Sequence, residues 1–111
     1  MDEDKKDEVY SEFYDCVNMQ PKELEEWLET EESKSVGDSD SGESTGHRSG
    51  RRIVEIKRTR KDDLSDDQFE HMNKVVGYVH RHLSQRPDGD IEDTDWRYSL
   101  MNWGHDPVKD D

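Results

Sequence analysis

Apolar residues recur every three or four positions along most of the chain, which is the spacing of one face of an α-helix. The pattern predicts helices over about residues 6–18, 21–31, 49–61, 66–85 and 95–103. The fourth helix is the most regular, and a capping box formed by Ser65 and Gln68 precedes it. No segment of useful length alternates apolar and polar residues as a strand does. The sequence therefore predicts an all-α fold, a small single domain of four to five short helices.

A Ser- and Gly-rich connector separates the second and third predicted helices. Residues 33–50 have no apolar periodicity, which indicates a flexible loop within the helical chain. The predicted organisation is an acidic N-terminal helix over 1–18, a helical domain over 19–108 and a short tail over 109–111. Within that domain the third helix, over 49–61, follows the connector directly.

The last predicted helix carries apolar residues on both of its sides, with Leu100 between two tryptophans on one of them. Such a helix is either buried on both sides or docks against a partner. Because Trp and Tyr are frequent interface anchors, one hypothesis is an interaction module that binds a second copy of itself or another protein. Its anchor residues would be Trp96, Tyr98, Met101 and Trp103.

Charge is unevenly distributed, with one basic segment in a very acidic chain. The 111 residues include 30 Asp and Glu against 16 Lys and Arg, a net charge of −14. Residues 47–61 reverse this balance, since seven bases and one acid give the segment a net charge of +6. The bases are Arg48, Arg51, Arg52, Lys57, Arg58, Arg60 and Lys61. Such a segment either binds something anionic or pairs with the chain's own acids.

The arginines of this segment suit phosphate binding, because a planar guanidinium can contact two phosphate oxygens at once. The first functional hypothesis is therefore DNA binding, in which the connector and the basic helix contact backbone phosphates. Ser44 or Ser49 would add hydroxyl contacts. The alternative is internal pairing, of Arg51 and Arg58 with Glu55 and of the other bases with neighbouring acidic helices. The sequence leaves both alternatives open.

Other kinds of site find little support. His80 and His82 point to different sides of a helix, and neither a cysteine pair nor a His-Glu-x-x-His run is present. The Gly-rich connector lacks the Lys-Ser/Thr ending of a nucleotide-binding loop. Cys16 has no base near it in the sequence. The sequence thus predicts a non-enzymatic protein with no catalytic residues, metal, cofactor or small-molecule substrate.

Composition adds an expectation about the environment of the protein. Only 27% of residues are hydrophobic and 41% are charged, so the predicted core is small. The abundance of Asp is typical of halophilic proteins, whose carboxylates are screened by concentrated salt. The single cysteine permits no internal disulfide, and no apolar stretch is long enough to span a membrane. These features predict a cytoplasmic protein without membrane association.

Three runs of residues resemble one protein family closely. They are SKSVG at 33–37, GRRIV at 50–54 and WRYSLMNWGH at 96–105. The family is the domain-of-unknown-function family 3140 (DUF3140), found in bacteria and haloarchaea, and the resemblance covers residues 19–108. Since some members carry the label DNA-binding protein, the resemblance implies a helical, cytoplasmic, DNA-associated protein, and it implies no site residues. The acidic composition is similar to that of haloarchaeal members.

Overall fold

A computed structural model of the protein describes residues 1–36 and 45–109, which form six α-helices and one short 3₁₀ helix. The α-helices are α1 (Glu3–Cys16), α2 (Pro21–Leu28), α3 (Glu31–Ser35), α4 (Thr45–Lys57), α5 (Asp66–Leu83) and α6 (Asp95–Asn102). The 3₁₀ helix, Lys61–Asp63, lies between α4 and α5. The predicted all-α fold is confirmed. None of the described helices is long and apolar enough to cross a membrane.

Local capping signals fix where most of these helices begin. Four helices start after a residue whose side-chain oxygen accepts a hydrogen bond from a first-turn backbone N–H. These caps are Asp2 for α1, Thr30 for α3, Ser65 for α5 and Thr94 for α6. At α2, Gln20 and Glu23 form a reciprocal capping box and Pro21 occupies the first turn. The chain therefore carries its own start signals in the residues before the apolar faces.

The core lies between two helix pairs and a central helix. α1 packs along α5, α2 packs along α4, and α6 contacts α2, α3, α4 and α5. The largest fully buried apolar side chains are Val9, Phe13, Val17, Met19, Leu24, Ile53, Ile56, Met72, Val75, Val79 and Leu100. Because α1 contributes two of them, the N-terminal helix and the remaining helices share one core.

The connector that was predicted as a loop over 33–50 is partly helical. α3 includes residues 33–35, and α4 begins at Thr45. The physical reason is close packing: a Cβ atom at Gly50 would lie only 2.6 Å from the carbonyl oxygen of Asn102. This close approach of α4 to α6 offsets the low helix propensity of glycine. Residues 37–44 of the predicted loop lie outside the described residues.

The segment after α6 closes on the end of α1. The His105 Nδ1 donates to the Cys16 carbonyl oxygen at 2.6 Å. Asn18 and Asp106 exchange two hydrogen bonds, one from the Asn18 amide group at 3.0 Å and one from the Asp106 backbone N–H at 2.8 Å. Lys109, assigned to the tail in the sequence prediction, donates from Nζ to the Asn18 carbonyl oxygen at 2.8 Å. The first of these bonds satisfies a carbonyl group that α1 leaves open at its C-terminal end, and the others join Asn18, just after α1, to the segment after α6.

Candidate nucleic-acid interface

Helix α4 turns apolar residues to the core and arginines to solvent. Ile53 and Ile56 are fully buried, whereas Arg48, Arg51 and Arg52 are exposed. Since α4 begins at Thr45, Arg48 lies on the helix one turn before the other two, so the three arginines share one side. We call these three residues the α4 arginine face.

The neighbours of Arg51 and Arg52 show how this face is oriented. Arg51 lines a cleft of about 220 Å³ between α4 and α2, together with Glu25, Leu28, Glu29, His47 and Val54. Arg52 lines a cleft of about 330 Å³ between α4 and α5, together with Asp67, Glu70, His71 and Lys74. The two arginines therefore lie at the two edges of this face, one towards α2 and one towards α5, and Arg48 lies between them in angle.

Arg58 and Lys61, two of the predicted phosphate ligands, are bonded to acids of other helices. Both terminal nitrogens of Arg58 donate to the carboxylate of Glu25, at 2.9 and 2.6 Å. This hydrogen bonding raises the pKa of the Arg58 guanidinium and lowers the pKa of the Glu25 carboxyl. Lys61 Nζ lies 2.7 Å from Asp7 Oδ1. Internal pairing thus occurs for these bases, although the partner of Arg58 is Glu25 and not the predicted Glu55.

Lys57 has a structural position at the joint between α1 and α2. Its Nζ donates to the carbonyl oxygens of Met19 at 2.9 Å and Val17 at 3.3 Å. The ammonium group also lies 5.4 Å from the centre of the Tyr14 ring. Burial lowers the pKa of Lys57, and the positive charge of Lys109 adds to the effect. Because its donors are occupied inside the fold, Lys57 is not placed to contact an external phosphate.

Arg60 is the remaining predicted ligand and is largely exposed. Its side chain is 89% exposed, and its Nε lies 3.5 Å from Asp63 Oδ2. Arg60 follows the end of α4, so it is separated from the α4 arginine face by more than two turns of helix. The seven predicted phosphate ligands therefore do not form one continuous surface.

The aromatic residues of α6 are largely internal. Trp103 is 5% exposed and stacks on Tyr78 with a distance of 4.1 Å between ring centres, and Met101 is 9% exposed. Trp96 and Tyr98 are half-buried. The apolar residues on the two sides of α6 are thus explained by packing, of one side against α5 and of the other against α2. Met101 and Trp103, two of the predicted anchors, therefore pack within the core of the described fold.

Ser49, which was predicted to add a phosphate contact, is instead paired with His71. Its Oγ lies 2.9 Å from His71 Nε2, and the two residues are 2% and 6% exposed. Burial lowers the pKa of His71 to about 4, with further lowering by the charges of Arg52 and Lys74. A serine and histidine this deeply buried tie α4 to α5 and do not present a nucleophile to a substrate. Ser44 lies outside the described residues.

Protonation of His71 is expected to destabilise the fold at acidic pH. The unfolded chain binds this proton below about pH 6.5, whereas the folded chain binds it only near pH 4. The contribution of neutral His71 to the free energy of unfolding is therefore fully present above pH 6.5 and is lost towards pH 4. The loss from this group alone is about 2 kcal/mol at pH 5. Urea unfolding of the wild type and of His71→Gln between pH 7.5 and 5 measures it. A wild-type slope no steeper than that of the variant would contradict the assignment.

Asn102 is a buried polar residue that sequence reasoning did not identify. Its Oδ1 accepts hydrogen bonds from Trp27 Nε1 at 2.8 Å and from Ser33 Oγ at 2.5 Å. Its Nδ2 donates to the Ser33 carbonyl oxygen at 3.0 Å. One side chain thus joins α2, α3 and α6. Since Ser33 and Asn102 are 69 residues apart, no local spacing rule could have revealed the contact.

Groups for metal or thiol chemistry are not assembled in the described part of the chain. No cluster of three or more His, Cys, Asp or Glu side chains there is arranged to hold a metal ion. Cys16 is buried, and burial raises the pKa of its thiol to about 11. At neutral pH the thiol is therefore protonated and a poor nucleophile.

Comparison with known proteins identifies the family of this chain. Neither the curated proteins nor the solved structures that were compared with it include a match. The family model described as "Protein of unknown function (DUF3140)" matches residues 12–101. This match runs from within α1 to within α6 and includes all of α4. The chain therefore belongs to the DUF3140 family, as the resemblance of its sequence motifs implied.

Proposed function

We propose that the protein binds duplex DNA by contacts between the α4 arginine face and backbone phosphates. The observation that carries the proposal is the exposure of Arg48, Arg51 and Arg52 on one side of a helix whose other side is buried in the core. A helix anchored in this way fixes the backbone positions from which the three arginine side chains extend. Guanidinium groups are well suited to phosphate, because their planar donors match two oxygens.

The local field of α4 favours an anion at this position. The first turn of α4 contains no acid, and the N-terminal end of a helix carries a partial positive charge. Glu55 is the single acid of α4 and lies near its other end. The remainder of the chain is acidic and repels DNA, so binding depends on a small number of close contacts. We therefore expect weak salt dependence, with a slope of log affinity against log salt of about −3 for three phosphate contacts.

Removal of the α4 arginine face is expected to abolish most DNA binding. The variant Arg48→Gln, Arg51→Gln, Arg52→Gln should lose at least about tenfold in affinity, because each lost charged contact contributes on the order of 1 kcal/mol. Fluorescence anisotropy of a labelled duplex, titrated from 0.1 M to molar potassium chloride, measures the loss. Circular dichroism at each salt concentration verifies that the protein is folded. The molar range is included because the composition is of the halophilic type.

A matched variant separates specific contact from net charge. This variant is Arg58→Gln, Arg60→Gln, Lys61→Gln. It also removes three positive charges, but from residues outside the α4 arginine face, two of which are paired with acids of other helices. This variant is expected to bind DNA nearly as well as the wild type. Equal losses in both variants would mean that only overall charge matters. No binding by the folded wild-type protein at any salt concentration would refute the proposal.

A further inference from the structure

Four exposed cations on or beside α5 form no ion pair with a carboxylate in the described part of the chain, whereas other cations there do. In the described part of the chain, the cations paired with carboxylates are Lys5, Lys6, Arg58, Arg60, Lys61, Arg97 and Lys109. Arg52, Lys74, Arg81 and Arg86 are exposed and form no ion pair with any residue of that part. Exposed Lys22 and Lys34 likewise form no ion pair in that part, but they lie on α2 and α3, so the group near α5 is distinguished by its position.

Three of the four cations follow one another along one surface, and Arg86 lies beyond the end of α5 over the Trp96 ring, which stacks on His82. Arg52 and Lys74 line the same cleft between α4 and α5. Lys74 and Arg81 are seven residues apart, which places them on the same side of α5 about 10 Å from each other. Arg81 folds back over Gly77, where its Nη1 would lie 3.3 Å from an added Cβ atom. We call Arg52, Lys74, Arg81 and Arg86 the α5 cation row.

The stretch of sequence that carries Lys74, Arg81 and Arg86 contains no acidic residue. Residues 71–87 contain three cations, three histidines and no Asp or Glu, in a chain of which more than a quarter is acidic. The acids nearest to the row are Asp67 and Glu70, and both lie at the end where Arg52 is found. From Lys74 to Arg86 the row therefore has no acid of its own segment beside it. A stretch of this kind gives a locally positive potential on a negative protein.

Aromatic rings beside the row are already stacked on one another. Tyr78 and His82 lie 5.1 Å apart with an interplanar angle of 16°, and His82 and Trp96 lie 6.1 Å apart with an angle of 11°. The guanidinium of Arg86 lies 5.9 Å from the centre of the Trp96 ring. Since these ring faces are occupied, they are not available to stack on nucleic-acid bases, which is how single strands are usually held.

We infer that the α5 cation row is a second phosphate-binding surface, which continues the α4 arginine face through Arg52 and contacts duplex DNA without reading its sequence. The inference rests on the proposed function and specifies its extent and its chemistry. Phosphate contacts position a protein on DNA and carry no base information. The row supplies cations alone, so affinity should be independent of base sequence, and a duplex should be preferred to a single strand because its phosphates are denser.

The test compares two variants and a control, each of which removes three positive charges. The first variant is Lys74→Gln, Arg81→Gln, Arg86→Gln, and the second is the α4 triple variant described above. The control is Lys5→Gln, Lys22→Gln, Lys34→Gln, whose residues are exposed and lie on α1, α2 and α3. Each protein is titrated with labelled 20-base-pair duplexes, one rich in A·T and one rich in G·C, and with a single strand of the same length. Circular dichroism verifies folding.

The expected result is a loss of about tenfold or more for the α5 variant and little change in the control. Since the row adds about three contacts to the three of the α4 arginine face, the wild-type salt slope should be about −6 and should be reduced by roughly 2 to 3 in the α5 variant. The two duplexes should bind equally. If the α5 variant binds like the control while the α4 variant loses affinity, the second surface is refuted and the proposed function stands. If the folded wild type binds no duplex, both fail. Tighter binding of one duplex or of the single strand refutes phosphate-only recognition of a duplex.

Discussion

Replacing Trp103 with alanine is expected to lower the free energy of unfolding by about 3–5 kcal/mol, the usual cost of truncating a large buried aromatic residue. Its indole is 5% exposed, stacks on Tyr78 and faces the ring of His71 at 6.1 Å. The indole nitrogen also lies 3.2 Å from the position that a Cβ atom at Gly46 would take, so Trp103 packs closely against α4 as well. Because domains of this size are stable by only about 5–15 kcal/mol, the loss is a large share of the total. Urea unfolding followed by circular dichroism measures it.

Trp96→Ala is the matched control for this prediction. Trp96 lies on the same helix but is half-buried, so its truncation should cost clearly less. Light scattering over a range of concentrations distinguishes this account from the interaction hypothesis. A core role predicts lower stability at an unchanged molecular mass. A Trp103→Ala protein as stable as the wild type, with a mass that falls from dimer to monomer, would show that Trp103 is an interface anchor instead.

Gly50→Ala is expected to be destabilising by about 2–3 kcal/mol, near the upper end of the usual cost of overpacking. The added Cβ atom would lie 2.6 Å from the Asn102 carbonyl oxygen and 2.8 Å from Leu28 Cδ2. A backbone oxygen cannot rotate away as a side chain does, so α4 and α6 must separate. That movement also disturbs the hydrogen bonds of Asn102 to α2 and α3. Thermal and urea unfolding both report the change.

Gly77→Ala provides a control of opposite sign. Gly77 lies within α5, and the one atom near its added Cβ is Arg81 Nη1 at 3.3 Å, the end of a flexible side chain. Alanine should therefore stabilise this position by roughly 0.5–1 kcal/mol, as expected for glycine replaced in an unstrained helix. If Gly50→Ala lowers the free energy of unfolding and Gly77→Ala raises it, the loss at Gly50 comes from the contact with α6 and not from replacing a helical glycine. Two stabilising substitutions would contradict the close approach of the helices.

Local signals explain which parts of the fold could be predicted from the sequence. α5 was predicted to begin at residue 66 and does so, because Ser65 caps it and one apolar face follows. α4 was predicted to begin at residue 49 and begins at Thr45. Its first turns contain Gly46 and Gly50, which usually indicate a break, and the packing that stabilises them involves residues of α2 and α6. Contacts between distant segments decide such a boundary.

The same distinction applies to the candidate site. The basic segment was visible as charge, and the helical placement of Arg51 and Arg52 followed from the sequence, whereas Arg48 lay before the predicted start of the helix at residue 49. The partners of Arg58 and Lys57 lie 33 to 40 residues away along the chain, so no spacing rule could show that these two bases are already bonded. The burial of α6 on both sides was one of two alternatives, and only the positions of α2 and α5 decide between them.

The closure of residues 104–109 onto the end of α1 has a consequence for synthesis on the ribosome. The carbonyl groups of Cys16 and Asn18 emerge early, but their donors on His105 and Lys109 emerge about ninety residues later. During translation α1 can therefore pack on α5 before the bonds at its C-terminal end can form, because those bonds need residues 105–109. A fragment limited to the stretch that the family model matches, residues 12–101, keeps Cys16 and Asn18 but lacks the donors of this closure on His105 and Lys109.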